Sequence, residues 1–256
     1  MDLTGASAVV TGAAGGLGGA TARHLIGLGV AVVIFDRDAE RAKATASDLG
    51  PAATAVAGDV TDANDVQAAV DAARAAGTLS IVANVAGGGN RPTRTVGRDG
   101  TPHDLETFQR IIAINTVGTF NVTRLAAAAM ATNEPDEDGQ RGVVINTGSL
   151  AGLEGQAGQI AYAAAKAGIL GMTLPLARDL APVGIRVCAI APGTIGTELM
   201  LNARQELQDK LTSSIIFPHR MGRPEEFALL VEAIVRNPYL NGENIRLDAA
   251  QRLPAK

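Results

Sequence analysis

Apolar residues arrive along this chain in two kinds of run. Short blocks rich in Val and Ile alternate with longer Ala-rich stretches. The short blocks predict strands at 7–12 (SAVVTG), 31–36 (AVVIFD), 53–60 (ATAVAGDV), 79–87 (LSIVANVAG), 143–149 (VVINTGS), 185–193 (IRVCAIAPG) and 243–250 (ENIRLDAA). The longer stretches predict helices at 17–29, 38–49, 62–76, 105–132, 161–181, 197–211 and 224–236. Gly29, the Gly50-Pro51 pair and Gly77 stand where the first three helices should stop. Thr61 stands where the third should be capped, and Pro175 falls inside the fifth, tolerated or kinking it. A polar loop at 88–104 is longer than a usual connection, and 133–142 reads as an acidic exposed turn. Strands that are apolar on both faces and separated by helices favour a parallel sheet covered on both sides. With no repeat and no low-complexity linker, the expectation is a single α/β domain over residues 1–256, a doubly wound parallel sheet.

Composition narrows what such a domain would meet. Hydrophobic residues make up 46% of the chain and charged residues 19%, enough for a substantial core; aromatics are only 3%, so aliphatic side chains must fill it. A net charge of −4 without a basic run argues against nucleic acid as a partner. The lone Cys188 forbids an internal disulfide and fits a reducing compartment; inside IRVCAIAP it reads as a buried structural thiol. His24, His103 and His219 share no ligand spacing, so no metal site is expected. The chain enters the run ASAVVTG without the basic start and apolar segment of a signal peptide, and no stretch of about 18 or more apolar residues marks a membrane span. A soluble cytoplasmic protein is the resulting expectation.

The segment VVTGAAGGLGGA joins the first strand to the first helix. Gly12, Gly16 and Gly18 give the spacing T-G-x-x-x-G-x-G, with Gly15 and Leu17 between them. A glycine-rich strand-to-helix turn aims backbone N–H groups at a pyrophosphate, and the helix dipole favours its charge. Glycine spacing alone also describes a merely tight turn. Its position, after the first strand and opening the first helix, is what a dinucleotide fold requires. Asp36 ends the second strand 18 residues after Gly18. A carboxylate there accepts both ribose hydroxyls of an adenosine and repels a 2′-phosphate, selecting NAD over NADP. Its alternative is an ordinary strand-end Asp capping the helix at 38, and Arg37 complicates the choice because it could meet a 2′-phosphate. Asp59 and Val60 close the third strand where an adenine would lie, or make a turn before Thr61.

Tyr162 and Lys166 stand four apart in YAAAK, one helical turn. A free phenol, with a pKa of about 10, is only about 0.1% ionised at pH 7. Bringing that pKa near 7 takes about 4 kcal/mol, and a cation about 4 Å away at an effective dielectric of 20 offers about that much. Lys166 is placed to supply it and to hold a nicotinamide ribose. Ser149 ends the fifth strand, where its hydroxyl can hydrogen-bond a substrate oxygen as charge develops, or simply cap the strand end. Asn115 lies inside the long helix, a poor place for Asn by propensity. It would hold a water near Lys166 in a proton relay, or bond its own helix backbone.

Thr11 to Gly18, Asp36, Asp59, NVAG (Asn84, Val85, Ala86, Gly87), Asn115, Ser149, YAAAK and Pro192-Gly193 occur in the order seen in short-chain dehydrogenases/reductases, which the whole chain resembles. Ser149 precedes Tyr162 by 13 residues, as in that family; Val85 departs from it, since a second Asn is common there. The resemblance implies a Rossmann-type fold, NAD as cofactor, and Asn115, Ser149, Tyr162 and Lys166 as the catalytic set. It further implies that Pro192 and Gly193 pack on nicotinamide, with Ile195 and Thr197 at its carboxamide. Flanking segments such as FQRIIAINTVGTFNVTRLA and NPYLNGENIRLDAA resemble the branch of the family that oxidises 3-hydroxyacyl-CoA esters in fatty acid metabolism and also hydroxysteroids, as a homotetramer. A lid is expected at 197–220, with Ile215, Ile216 and Phe217 as apolar lining. Arg91, Arg94 and Arg98 in the loop 88–104 would meet coenzyme A phosphates, or are solvated loop charges. Two alternatives stay open: an NADPH-dependent 3-oxoacyl carrier-protein reductase, and a non-catalytic NAD-binding sensor.

Overall fold

The computed structural model describes residues 1–89 and 91–255; Asn90, within the predicted loop 88–104, lies outside the described residues. Seven parallel strands form one sheet: β1 (Ala6–Thr11), β2 (Ala31–Asp36), β3 (Ala53–Ala57), β4 (Thr78–Asn84), β5 (Gly142–Thr147), β6 (Ile185–Pro192) and β7 (Asn244–Leu247), in the order β3-β2-β1-β4-β5-β6-β7. Every residue of β1, β5 and β6 is buried, and only the edge strands β3 and β7 are not closed over. That is the signature of helices on both faces.

Strand residues alternate between two cores because successive side chains point to opposite faces. On one side Ala8, Val10, Ile34, Ile145 and Cys188 pack under α1 (Gly16–Gly27), α2 (Ala39–Leu49) and α9 (Pro224–Arg236). On the other, Val9, Val33, Val82, Val144 and Val187 pack under α3 (Ala63–Ala76), α5 (Gly118–Met130) and α6 (Ile160–Leu180). The Cys188 thiol is free and buried, and burial pushes its pKa up, so it is a packing residue. A buried Arg186 on β6 closes the far end: it donates to Gln140 Oε1 and to the carbonyls of Ile234 (2.9 Å), Val235 (3.0 Å) and Leu240 (2.8 Å), satisfying the last turn of α9.

Several boundaries differ from the sequence expectation, each for a local reason. The third strand stops at Ala57 because residues 58–60 leave the sheet edge; Gly58 N–H still reaches Asp36 O at 3.0 Å. Asp62, not Thr61, caps α3, accepting from Asn64 N–H and Asp65 N–H, while Thr61 donates its N–H and hydroxyl to Asp59. The long helix is three pieces: α4 (Leu105–Ile112), a π-turn at Ala113–Val117 and α5. The helix expected at 197–211 is broken into α7 (Glu198–Leu201) and α8 (Gln205–Thr212); Gln208 Nε2 donates to Leu201 O and Ala203 O, the carbonyls freed at the break. Residues 105–130 and 160–183 are long and apolar enough by composition to cross a membrane although neither is an unbroken apolar run; in the fold both segments pack against the sheet.

Strand order reverses between β1 and β4, whose C-terminal ends therefore open a crevice, the place where open α/β sheets bind ligands.

Candidate active site

The crevice is a cavity of about 760 Å³. Gly12, Gly15, Gly16, Leu17 and Gly18 line one wall; Asp36, Asp59 and Val60 line one end; Val85, Ala86, Gly87 and Thr197 line the floor and far side. Two of the glycines are required by close approach. Gly12 sits at φ +63°, and a Cβ there would come 2.9 Å from Ala86 Cα; a Cβ on Gly18 would come 2.2 Å from Gly12 O. Thr11 ties the same two chain segments together, its hydroxyl accepting from Val85 N–H (3.0 Å) and Ala86 N–H (2.9 Å). Aspartates Asp38, Asp62 and Asp104 cap α2, α3 and α4, whereas α1 begins with no side-chain cap and its first residues face the cavity. Its open N–H groups and dipole suit an anion.

Asp36 accepts from Ala14 N–H and Asp38 N–H, both at 3.1 Å, and the cap of α2 is Asp38. The capping alternative for Asp36 is thus answered: its carboxylate holds the glycine loop and faces the cavity. Two hydrogen bonds from Thr61 hold the Asp59 carboxyl below its ordinary pKa. Arg37 and Arg41 also line this end, Arg41 with its guanidinium folded over Gly15. Carboxylates at one end, an uncapped helix start and a glycine-lined wall form a donor and acceptor set that fits a dinucleotide.

Asn84 differs from its neighbours in NVAG. Its side chain turns into the fold, donating to Asn146 Oδ1 (2.9 Å) and Thr123 Oγ1 (3.1 Å), and so staples β4 to β5 and α5. Pro192 is buried at the end of β6; Gly193 follows it, and its N–H donates to Leu247 O. Ile195 is buried, with its side chain against Gly222.

The other end of the cavity meets Tyr162 and Lys166. Gly87 and Gly89 line it; an added Cβ would lie 3.3 Å from Lys166 Nζ at Gly87, and 3.6 Å from Tyr162 Cδ2 at Gly89. Lys166 is buried, its ammonium 5.8 Å from the Tyr162 ring centroid and donating to Thr147 O at 2.8 Å. Burial drives the Lys166 pKa down to about 8. Tyr162 is partly exposed as a residue, yet burial of the phenol pushes its pKa up, opposed by a hydrogen bond with Ser149. The expected lowering of the phenol by the ammonium is therefore not present in the chain by itself. Nζ is spent on a carbonyl, and both groups are desolvated, which penalises both charged forms.

Ser149 caps a short 3₁₀ turn (Leu150–Gly152), accepting from Ala151 N–H at 3.1 Å, as its capping reading expected, and its side chain also bonds Tyr162. Asn115 bonds its own helix backbone, as the plainer of its two readings expected, and it also reaches Gly88 because it sits at the centre of the π-turn. Nδ2 donates to Ile111 O and Gly88 O, both at 2.9 Å, and Oδ1 accepts from Gly88 N–H at 3.3 Å. Such single-turn bulges recur at functional sites because they re-aim a side chain. Of the lid, Thr197, Glu198 and Asn202 reach the cavity. Ile215 is buried in the fold, and Ile216 and Phe217 are 66% and 82% exposed; none of the three expected lining residues lines the cavity. Arg91, Arg94 and Arg98 lie on the exposed loop; Arg110, which periodicity assigned to an ordinary helix, lines the cavity instead.

A family model described as short chain dehydrogenase matches residues 6–208. The human protein 3-hydroxyacyl-CoA dehydrogenase type-2 is 49% identical over 253 residues, covering 98% of this chain and 97% of its own. The crystal structure of 3-hydroxyacyl-CoA dehydrogenase type-2 from Mycobacterium avium superposes with a TM-score of 0.97 at 48% identity, covering 99% of this chain and 98% of that one. That of 3-ketoacyl-(acyl-carrier-protein) reductase from Brucella melitensis, complexed with NADH, gives 0.87 at 29% identity, covering 98% and 100%.

Proposed function

The chain belongs to the short-chain dehydrogenase family and is an oxidoreductase, and from that premise we propose that it interconverts a secondary alcohol and a ketone with NAD, its substrate a 3-hydroxyacyl-CoA ester. The observation that supports the reaction is the grouping of Ser149, Tyr162 and Lys166, with Tyr162 and Lys166 directly behind Gly89 and Gly87, glycines that line the same cavity as Asp36. The substrate class rests on the relatives of that name that match over nearly the full length.

Gly12, Gly15, Gly16, Leu17 and Gly18 would hold the pyrophosphate, Asp36 the adenosine ribose, and Asp59 and Val60 the adenine. Val85, Ala86, Gly87, Pro192, Gly193, Ile195 and Thr197 would frame the nicotinamide, which when bound supplies the hydride acceptor. Tyr162 takes the alcohol proton at its phenol oxygen and returns it in the reverse direction. Ser149 donates a hydrogen bond to the substrate oxygen, steadying its developing charge. Lys166, still largely protonated at pH 7 with its pKa of about 8 and 5.8 Å from the Tyr162 ring centroid, would hold the nicotinamide ribose; in the chain by itself it does not lower the phenol's pKa. Asn115 holds the segment at Gly88 in place near Lys166 and would support the proton relay. Residues 88–104 and 197–220 act as substrate loop and lid.

Arg37 and Arg41 beside Asp36 favour a second reading, an NADPH-dependent 3-oxoacyl carrier-protein reductase. Titration of NADH and NADPH, followed by their fluorescence, separates the two. The wild type should bind NADH more tightly. Asp36→Ala should weaken NADH by about tenfold to a hundredfold, the worth of hydrogen bonds to a charged acceptor, and let NADPH gain on it as the two guanidiniums meet the 2′-phosphate. A wild type that prefers NADPH would overturn the NAD assignment.

Assembly as a homotetramer is part of the same proposal. Val117 at the end of the π-turn, Phe120 on α5, and Ile160 and Leu174 on α6 are each about half exposed, large apolar groups that a subunit contact would cover. Sedimentation should give the mass of four 26.1 kDa chains; a monomer at assay concentration would remove this part.

A further inference from the structure

Gln251 is buried to 1% exposure at the C-terminal end of the fold, 57 residues beyond the turn it serves. Its Oε1 accepts from Thr194 N–H at 2.9 Å. Its Nε2 lies 3.1 Å from Thr194 Oγ1, 2.9 Å from Ser214 Oγ and 3.3 Å from Leu211 O. The partners fix the amide's orientation, since a backbone N–H can only donate and a carbonyl can only accept. One side chain thus bonds the turn between Gly193 and Ile195 and also the end of α8, the last helix of the lid.

The surroundings are built around this contact. A Cβ on Gly193 would come 2.8 Å from Gln251 Oε1 and 3.0 Å from Asp248 Cα, so the glycine leaves space for the amide and the strand end beneath it. Ala249 and Ala250 hold φ at +50° and +59°, a left-handed conformation that costs alanine about 1–2 kcal/mol per residue. Such strain persists only where neighbours over-determine it. Here Ala249 O accepts from Ile216 N–H and Phe217 N–H, and Arg246 donates to Gln251 O at 3.1 Å. The reversed turn points Gln251 inward rather than to solvent.

We propose that Gln251 is a positioning residue: through Thr194 it fixes the turn that frames the nicotinamide, and through Leu211 and Ser214 it sets the lid against that turn. The catalytic part of this rests on the dehydrogenase reading above; the mechanical part does not. The turn that precedes the lid segment and the end of α8 within it are then held by one amide, and the turn at Gly193 cannot shift without disturbing the lid. Asp36 and the glycine loop lie at the far end of the cavity and are untouched by Gln251.

Gln251→Met keeps length and bulk but removes every one of these bonds. Hydrogen exchange of the full chain without cofactor should show residues 194–214 exchanging about tenfold faster or more, the factor expected for one to two lost hydrogen bonds, with β1, β4 and β5 unchanged. In turnover, kcat should fall about tenfold, while the NADH dissociation constant, set largely at the adenosine end, moves less than about threefold. Thr194→Val, which removes only the hydroxyl partner, should shift both readouts in the same direction by less, and it covers the case in which Gln251→Met does not fold. Uniformly faster exchange across the sheet would reduce Gln251 to a general packing residue and overturn the proposal. So would faster exchange at 194–214 with kcat unaltered, or no change in either. A wild type without dehydrogenase turnover would instead defeat the proposed reaction, and the exchange result would still decide whether the amide holds the lid.

Discussion

Tyr162→Phe should lower turnover by about a hundredfold to ten-thousandfold, the range that a positioned proton-transfer group supplies, while NADH binding changes little. The substitution removes one oxygen and keeps the ring, which packs with Ile111, Ala161 and Ala165. Structure and cavity should therefore persist, and the loss should fall on kcat. The sign of the pH dependence follows from the same group. Burial raises the phenol's pKa above its ordinary value of 10.0, so below that value the base form is a minor species. Alcohol oxidation by the wild type should climb as pH rises from about 7 to 9, because the phenolate fraction grows tenfold per unit in that range. The residual activity of Tyr162→Phe should be flat over the same range. Steady-state rates with NAD and a 3-hydroxyacyl-CoA, alongside NADH titration by fluorescence, measure both. Equal rates in the two proteins would mean that the proton goes elsewhere.

Lys166→Met should cut turnover by about a hundredfold to a thousandfold, comparable to removing one preorganised donor, and yet make the cofactor-free fold more stable at pH 7. A buried ammonium with a single carbonyl acceptor is a poor contributor to stability. Its folded pKa of about 8 lies below the ordinary lysine value of 10.5, so folding disfavours its protonated form. Below pH 8 the penalty is fully present, at most ~3 kcal/mol. Between about 8 and 10.5 the unfolded chain binds the proton that the folded chain has shed, so unfolding free energy rises with pH. Methionine fills the same volume without charge, and such replacements gain about 1–4 kcal/mol, offset in part by the unsatisfied Thr147 carbonyl. Urea unfolding at pH 7 and pH 10 should show the wild type gaining on the variant at the higher pH. A variant less stable than the wild type at pH 7 would show that the ammonium stabilises the fold after all. The stability given up at this position is retained for chemistry, a trade common at active sites.

The chain's own pattern carried much of this molecule. Strands buried on both faces must read as unbroken Val and Ile runs, so the parallel sheet and its order of elements were legible. The glycine at 18 was legible for the same kind of reason: a strand that turns at once into a helix brings its backbone against itself, here against Gly12, whereas the approach that requires Gly12 comes from Ala86, remote in sequence. Tyr162 and Lys166 were legible because a helix places residues four apart on one face.

What the tertiary structure decided involves partners remote in sequence. Asn115 is aimed by a π-turn and held by Gly88, 27 residues away, and neither is visible in helical periodicity. Asn84 in the sequence belongs with the cofactor residues, yet in space it is the staple of β4 to Asn146. The basicity of Lys166 depends on burial, which no spacing encodes, and it reversed the expected balance between the amine and the phenol. Gln251 carried no signal at all in DAAQRL; only the closing of β7 against β6 brings its amide beneath Thr194. Short-range geometry is written in local residue order, because the backbone allows few conformations. Desolvation and long-range hydrogen bonds arise only once the chain has closed on itself.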